Sequence, residues 1–120
     1  MSTTTTNVRI NDLLDYIRNG RIMDAMNEFY AADVVMEEPA YGQTVGLDAN
    51  LVREQAFVDS VREFRNFEAP HVMTSDNASS YVNVMDWTTT DGQEIHVEQV
   101  AVQEWRDGKI VHERFYYATS

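Results

Sequence analysis

The chain contains no cysteine, which excludes disulfide bonds and thiolate metal sites and agrees with a reducing cytoplasm. Basic residues are scarce, with 9 lysines and arginines against 20 aspartates and glutamates, and the net charge of -11 would repel phosphate backbones and anionic membrane surfaces. No apolar run approaches the roughly 20 residues that cross a bilayer. We therefore expect a cytoplasmic protein that binds neither nucleic acid nor a membrane.

The sequence also lacks the motifs that bind common cofactors. It has no Gly-rich phosphate loop, no dinucleotide fingerprint and no Gly-x-Ser-x-Gly elbow, so we expect no cofactor and no serine hydrolase chemistry. What is present is typical of a globular protein, with 43% hydrophobic and 24% charged residues. A chain of this length buries roughly 65% of the surface that its unfolded form exposes, which is enough for one core.

The first half of the chain carries helical apolar spacing. Residues 1–7 are threonine-rich and polar, so we expect a disordered lead before a single domain over residues 8–120. Three helices are predicted from their apolar faces, which are Ile10, Leu13, Leu14 and Ile17; Ile22, Met26, Phe29 and Tyr30; and Phe57, Val58, Val61 and Phe64. Asn19-Gly20 would stop the first helix, and the third would run from an Asp48 N-cap to near Asn66.

The second half has the two-residue period of β-strands. Val34 to Pro39 predicts a short strand before the third helix, because Pro39 disfavours helix in the residue before it. Further on, Asp91-Gly92 and Asp107-Gly108 mark two tight hairpin turns. An antiparallel meander of four strands is therefore predicted over Glu68 to Thr74, Tyr81 to Thr89, Glu94 to Arg106, and Lys109 to Tyr117.

These elements predict an α+β fold in which three N-terminal helices pack on a curved antiparallel sheet. Twist and bulges curve a long strand, so the sheet acquires a concave face. The apolar stripes of the helices need an apolar surface to cover, and the concave face is the large one available. An apolar hollow between helices and sheet is expected.

Two segments carry a recognisable order of aromatic, acidic, proline and glycine residues. The first is Phe29-Tyr30-Ala31-Ala32-Asp33-Val34-Val35-Met36-Glu37-Glu38-Pro39 with Gly46 after it, and the second is Trp105-Arg106-Asp107-Gly108-Lys109-Ile110 followed by Phe115, Tyr116 and Tyr117. Together they resemble the SnoaL-like and ketosteroid isomerase-like group of the nuclear transport factor 2-like superfamily. The resemblance covers nearly the whole chain beyond Asn7 and implies a cone-shaped α+β barrel, whereas activities in the superfamily vary widely.

The same resemblance implies a general base at Glu38, the acid directly before the proline. The oxyanion-stabilising tyrosine of the ketosteroid isomerase pattern falls on Leu14, and its partner acid falls on Ala101. Tyr16 lies two residues from the tyrosine position, about 200° round the helix. The resemblance thus implies a pocket and a base, but not steroid isomerisation.

Glu38 and His112 are the catalytic candidates. If Met36 and Glu38 share the inward strand face, the Glu38 carboxylate points into an apolar cavity and is suited to proton abstraction. The alternative is that Glu38 lies at a strand end in water, or pairs with an arginine for structural reasons. His112 shares a face with Arg114 and would reach the pocket as an acid or base.

The predicted ligand-binding residues combine amides with apolar side chains. Gln99 and Gln103 share a strand face with Ala101 and would orient a ligand carbonyl, unless a bulge turns them towards solvent or a subunit interface. Aromatic and methionine side chains suit an irregular apolar ligand and serve plain packing equally well. The full set is Leu14, Tyr30, Met36, Phe57, Met85, Trp87, Gln99, Ala101, Gln103 and Trp105.

Two further groups of polar residues could form a site, but each has a simpler structural interpretation. Asp86 with Arg114 would form an acid-base pair like that of epoxide-opening members of the superfamily, or a surface salt bridge worth about 0 to 1 kcal/mol. His71, His96 and His112 fall on three predicted strands, but their spacing does not favour a metal site and none is expected.

Two functions are compatible with these residues. One is a cofactor-independent acid-base enzyme, an isomerase, aldol-type cyclase or hydrolase, acting on a small hydrophobic carbonyl compound. The other is a non-catalytic ligand-binding or dimerisation module. Both predict a homodimer through the outer sheet face, because Val100 and Val102 would be exposed to solvent in a monomer.

Overall fold

A computed structural model describes residues 1–118 of the chain. The first helix, α1 (Thr3–Arg18), is N-capped by Ser2, whose Oγ accepts the backbone N–H of Thr5 at 3.1 Å. Thr6 is fully buried and its hydroxyl donates to the carbonyl of Asp76 at 2.7 Å. Most of the segment expected to be a disordered lead therefore lies in the first turns of α1, because a serine cap and a buried threonine fix it there.

Two further helices follow, α2 (Ile22–Phe29) and α3 (Leu47–Asp59). The N-cap of α3 is Gly46, with a φ of 91°, and not Asp48, which lies in the first turn. The helix also ends earlier than predicted, since Val61 already pairs with Thr89 in a strand. The prediction that α3 reaches Asn66 was wrong because strand pairing overrides the apolar spacing.

The strands form one six-stranded sheet in the order β2-β1-β6-β5-β4-β3. Their bounds are β1 (Tyr30–Glu38), β2 (Gly42–Val45), β3 (Val61–Thr74), β4 (Ala78–Thr89), β5 (Glu94–Arg106) and β6 (Lys109–Tyr116). The meander over β3 to β6 is antiparallel as predicted, whereas β1 lies parallel to β6. The sheet is thus mixed, and the short strand β2 extends its edge.

The two predicted Asp-Gly turns connect β4 to β5 and β5 to β6. Asp107 and Gly108 both have positive φ, at 52° and 79°, as a two-residue hairpin turn of type I′ requires. Beyond this turn a bulge interrupts the ladder, because Ile110 pairs with Trp105 while His112 pairs with Glu104. Val111 is the extra residue, and it reverses the faces of the remainder of β6.

The helices cover one face of the sheet and enclose the core. Helix α1 contacts β3 and β4, and α3 contacts β1, β2 and β3. The buried apolar residues come from α1, α2, β1, β4, β5 and β6: Ile10, Leu13, Leu14, Ala25, Met26, Phe29, Tyr30, Val34, Met36, Tyr81, Ala101, Trp105 and Ile110. The arrangement confirms the predicted cone-shaped α+β fold, with a sheet that does not close on itself. Among residues 1–118, no helix has the length and apolar character needed to cross a membrane.

Candidate functional site

Five buried polar side chains are joined in a chain of hydrogen bonds on the helix-covered face of the sheet, and we call them the inner cluster. Trp105 Nε1 donates to Ser79 Oγ at 2.8 Å, and Ser79 Oγ donates to Gln103 Oε1 at 2.7 Å. Gln103 Nε2 donates to Glu113 Oε2 at 2.7 Å, and the Tyr30 hydroxyl donates to Glu113 Oε1 at 2.5 Å. The chain ends on a carboxyl group that accepts two hydrogen bonds.

Strand register places these side chains beside one another. Ser79 of β4 lies opposite Gln103 of β5, and Gln103 lies opposite Glu113 of β6. Met36 of the parallel strand β1 lies on the other side of Glu113. Because residues opposite each other project to the same face, a row of side chains crosses four strands.

Glu113 is a buried acid whose charge is not offset by any basic residue among residues 1–118. It is completely buried, and within residues 1–118 no arginine, lysine or histidine forms an ion pair with it. Burial raises the pKa of Glu113 to about 7, although the hydrogen bonds from Tyr30 and Gln103 pull it down. The group therefore changes its charge near neutral pH.

Glu54 is a second perturbed acid, on the inner side of α3. It shares a helix face with Asn50 and Leu51, which turn toward the sheet. Its carboxylate makes no hydrogen bond or ion pair to any described residue, and burial raises its pKa to about 6 while Arg53 lowers it. Its charge in turn raises the pKa of Glu113, so the two acids lie within reach of each other's field.

Two polar groups of β4 beside these acids lack partners. Tyr81 is 4% exposed, and its hydroxyl makes no hydrogen bond with residues 1–118. Burial raises the pKa of Tyr81 well above its usual value, and the charges of Glu113 and Glu54 add to the effect. Asn83, two residues along the same strand face, is 1% exposed, and its Oδ1 has no hydrogen-bond partner in the described structure.

The predicted base Glu38 lies at the end of β1 and is engaged by two side chains. The Tyr117 hydroxyl donates to Glu38 Oε1 at 2.9 Å, and Arg53 Nη2 lies 3.1 Å from Oε2. The side chain of Glu38 retains 21% exposure. Burial and the nearby Glu38 carboxylate raise the pKa of Tyr117 to about 12. This geometry corresponds to the alternative in which Glu38 pairs with an arginine.

His112 lies on the opposite face of the sheet. Its Nε2 is 2.9 Å from Glu37 Oε2, and its Nδ1 is 3.6 Å from Glu104 Oε2. The bulge at Val111 turns Glu113 inward and His112 outward. The structure therefore brings His112 together with neither Glu38 nor the inner cluster.

The acid-base pair of Asp86 and Arg114 does not form either. The Asp86 carboxylate lies 2.6 Å from His96 Nδ1 and accepts a hydrogen bond from Asn66 at 3.1 Å. It therefore does not pair with Arg114. His71, His96 and His112 lie on β3, β5 and β6. In the described part of the chain, no three His, Asp or Glu side chains are placed to hold a metal ion.

The predicted ligand-binding residues divide into two sets. Leu14, Tyr30, Met36, Ala101, Gln103 and Trp105 are buried in the core. Phe57, Met85, Trp87 and Gln99 are partly exposed, nearer the Asp91-Gly92 turn. In the second set, the Phe57 ring packs edge-on against Trp87 and Phe64, with centroids 5.3 Å and 6.1 Å apart.

Two crevices open on the outer surface near α2 and α3. One, of ≈ 330 Å³, lies between the start of α2, the end of α3 and the start of β3, and includes Ile22, Val58 and Phe64. The other, of ≈ 460 Å³, includes Met23, Leu51 and Val52. None of the predicted ligand-binding residues lines either crevice.

Comparison with known proteins assigns the family. A family model described as a SnoaL-like domain matches residues 1–117. The chain belongs to the SnoaL-like family. No curated protein sequence matches this SnoaL-like chain at a significant level.

Solved structures share the fold of this SnoaL-like protein. A crystal structure from Mesorhizobium loti that carries the name SnoaL-like polyketide cyclase has a TM-score of 0.77 and 21% identity, covering 93% of this chain and 98% of that one. An NTF2-like protein of unknown function from Burkholderia pseudomallei has a TM-score of 0.81 and 15% identity, covering 98% and 92%. TerC, co-crystallised with polyporic acid, has a TM-score of 0.78 and 14% identity, covering 95% and 92%. Identities this low demonstrate the fold alone.

Sequence reasoning missed Glu113 and Glu54, although the sequence contains a signal for each. A regular hairpin would place His112 opposite Gln103, but that register would also bury Arg114 and expose Phe115. Glu54 is the one ionisable residue in the stripe of α3 that turns toward the sheet, which reads Leu47, Asn50, Leu51, Glu54, Phe57 and Val58. A lone acid in an apolar stripe is the signal for it.

Proposed function

We propose that this SnoaL-like protein binds a small, mostly apolar carbonyl compound against the inner sheet face and moves a proton on it, as an isomerase or aldol-type cyclase. The observation that carries the proposal is the Glu54 carboxylate, which has no hydrogen-bond partner in residues 1–118 and whose charge raises the pKa of both Tyr81 and Glu113. Acids with pKa values near neutrality, turned toward one interior, are typical of acid-base sites.

Glu54 is assigned as the base. A general base works best when its pKa lies near the working pH, and burial raises the pKa of Glu54 to about 6. Glu38 is less suited, since Arg53 and Tyr117 already occupy both of its oxygens. The contacts of Glu38 join the end of β1 to α3 and to the C-terminal segment.

Tyr81 is assigned as the donor to the carbonyl oxygen. Its hydroxyl makes no hydrogen bond within the described residues and lies near both acids. A phenol in a desolvated interior stabilises an oxyanion strongly. An ionised Glu113 raises the pKa of Tyr81 and weakens it as a donor, so the active form has Glu113 protonated.

The proposed reaction begins with the transfer of one proton from the ligand to Glu54. The Glu54 carboxylate accepts a proton from the carbon next to the carbonyl, and the electron pair moves to the oxygen as an enolate held by Tyr81. In an isomerisation, Glu54 returns the proton to another carbon. In a cyclisation, the enolate carbon attacks a second carbonyl of the same molecule, and the resulting alkoxide takes the proton from Glu54.

Deuterium exchange tests this proposal without knowledge of the natural substrate. The protein is incubated in heavy water with acetophenone or phenylacetone, and deuterium incorporation next to the carbonyl is followed by NMR. We expect exchange above the buffer rate, and a loss of about 10²-fold or more in Glu54→Gln. Glu104→Gln, a change to an exposed acid, is the control and should keep the wild-type rate.

Glu38→Gln separates the two candidate bases. Under the proposed assignment it keeps most of the exchange activity. Loss of exchange in Glu38→Gln together with full activity in Glu54→Gln would transfer the role of base to Glu38.

One observation favours the non-catalytic alternative. Gln103 and Glu113 are completely buried and mutually hydrogen-bonded, an arrangement that also serves to specify a core. A binding module with this interior would bind the ketones without exchanging their protons. Saturable binding of both ketones with exchange at the buffer rate would establish this alternative.

The homodimer predicted from the sequence remains part of the proposal. Val100 and Val102 lie on the face opposite Ala101 and are partly exposed. Val82 and Tyr116 lie directly beside Val100 on the neighbouring strands. A contiguous apolar patch of this kind on the outer sheet face is suited to pairing with a second copy.

A further inference from the structure

We infer that Asn83 is a ligand-recognition residue that accepts a hydrogen bond from a hydroxyl group, so the ligands of this protein are hydroxylated carbonyl compounds. The inference rests on the proposed function, because it places the ligand against the same inner sheet face. It adds a residue and a substrate class that the proton-transfer roles of Glu54 and Tyr81 do not require.

The first observation is an unsatisfied acceptor. Asn83 is 1% exposed, and its fully buried Oδ1 has no hydrogen-bond partner within residues 1–118. Nearly all buried polar atoms in native proteins are hydrogen-bonded, and leaving one unpaired destabilises the folded state. An apolar residue of similar size would avoid that cost.

The local strand geometry explains why the protein itself supplies no partner. On the β3 side, the ladder is interrupted between Glu68 and His71, so Ala69 and Pro70 lie across from Asn83. Alanine has no polar side chain, and proline has no backbone N–H to donate. On the β5 side, Gln99 lies opposite Asn83, but its amide makes no hydrogen bond within the described residues.

The position of Asn83 fits a ligand that Tyr81 holds by its carbonyl. The two residues are separated by one position on β4 and project to the same face. Tyr81 offers a donor and Asn83 Oδ1 offers an acceptor, on residues whose Cα atoms are one strand repeat apart, roughly 7 Å. A rigid ligand with a carbonyl at one end and a hydroxyl at the other satisfies both groups.

Binding of matched ketones tests the inference. The probes are para-hydroxyacetophenone, its methyl ether and acetophenone, with affinity measured by calorimetry. We expect the wild type to prefer the hydroxyl compound by about 10-fold or more, because the other two leave Asn83 unpaired. Asn83→Leu should bind all three alike, and Asn83→Asp, which keeps an acceptor, should retain the preference.

Thermal stability supplies a readout that does not depend on ligand. Asn83→Leu should raise the Tm of the ligand-free protein by about 3 °C or more, since it removes an unpaired buried polar group. Asn66→Leu is the matched control, because Asn66 donates to Asp86 on the outer face and should leave ligand preference unchanged. A lower Tm in Asn83→Leu with an unchanged preference would make Asn83 a structural residue.

The two proposals fail in different ways. If the wild type exchanges the protons of acetophenone but binds the three probes equally, the proposed function stands and the inference about Asn83 falls. If it prefers the hydroxyl compound and exchanges nothing, Asn83 recognises ligand in a non-catalytic module. Failure of the wild type to bind any of the three probes overturns the inference.

Discussion

Gln103 and Glu113 lie opposite each other on β5 and β6, and the Gln103 amide donates to the Glu113 carboxyl at 2.7 Å in the buried interior. A neutral amide can stabilise a carboxylate by a hydrogen bond, but it brings no opposite charge to offset desolvation. The charge of Glu113 therefore depends on pH near neutrality.

The first prediction concerns stability and pH. The pKa of Glu113 is raised from 4.5 to about 7, so the folded state holds a proton that the unfolded state has lost between these values. The contribution of Glu113 to the free energy of unfolding should be largest below this window and fall as the pH rises through it, by about 2 to 3 kcal/mol between about pH 5 and about pH 8. Urea denaturation across this range measures it.

The variant Glu113→Gln tests whether Glu113 causes this pH dependence of stability. Glu113→Gln should remove most of the slope, with a smaller part remaining from Glu54, whose pKa is raised to about 6. Glu104→Gln replaces an exposed acid on the neighbouring strand and should keep the wild-type slope. An unchanged slope in Glu113→Gln would contradict the assignment.

The second prediction concerns the Tyr30 hydroxyl. Tyr30→Phe removes one of the two donors to Glu113 and should lower the free energy of unfolding by about 1 to 3 kcal/mol at neutral pH. The pKa of Glu113 should rise further, because this hydrogen bond holds it down. Urea denaturation measures the first effect, and the pH at which stability levels off measures the second. Tyr41→Phe, at an exposed site, should change neither.

The third prediction is the pH profile of proton exchange. Exchange should rise as Glu54 loses its proton, near pH 6, and should fall as Glu113 loses its own, near pH 7. Because the two acids interact, the pKa values read from the rising and falling limbs of the profile belong to the pair and not to either residue alone. Glu113→Gln should abolish the fall at higher pH and leave the rise in place. A profile that stays flat in the wild type would exclude both acids from the rate-determining step.

The fourth prediction is the oligomeric state. The wild type should sediment as a dimer at micromolar concentration, and Val100→Glu should convert it to a monomer by placing a charge in the outer apolar patch. Val45→Glu, at an exposed position of β2, should remain dimeric. A wild-type protein that sediments as a monomer would remove the dimer from the proposal.

Local sequence rules were sufficient for much of the fold. The apolar spacing of Ile10, Leu13 and Leu14 predicts α1, and the Asp91-Gly92 and Asp107-Gly108 turns define the hairpins. These signals depend on neighbouring residues, so they can be read without tertiary structure. The end of α3 could not be read this way, because pairing of Phe64 with Trp87 overrides a helical spacing.

Which side chain of β6 enters the interior of the site depends on one tertiary feature, the bulge at Val111. Gln103 was predicted on the inner face, and the structure places it there. Its partner on β6 could not be found by counting back from the turn, since the bulge at Val111 shifts the register by one residue. Burial of Phe115 in preference to Arg114 favours the shifted register, and Glu113 is carried inside with it.

The bulge also determines the chemistry at the other end of β6. With Val111 accommodated outside the ladder, the inward positions carry a carboxyl group at Glu113 and, by continued alternation, the phenol of Tyr117 that reaches Glu38. A continuous ladder would present imidazole and guanidinium groups to the same interior. One looped-out residue thus decides whether the helix-covered face of this sheet carries acidic or basic side chains.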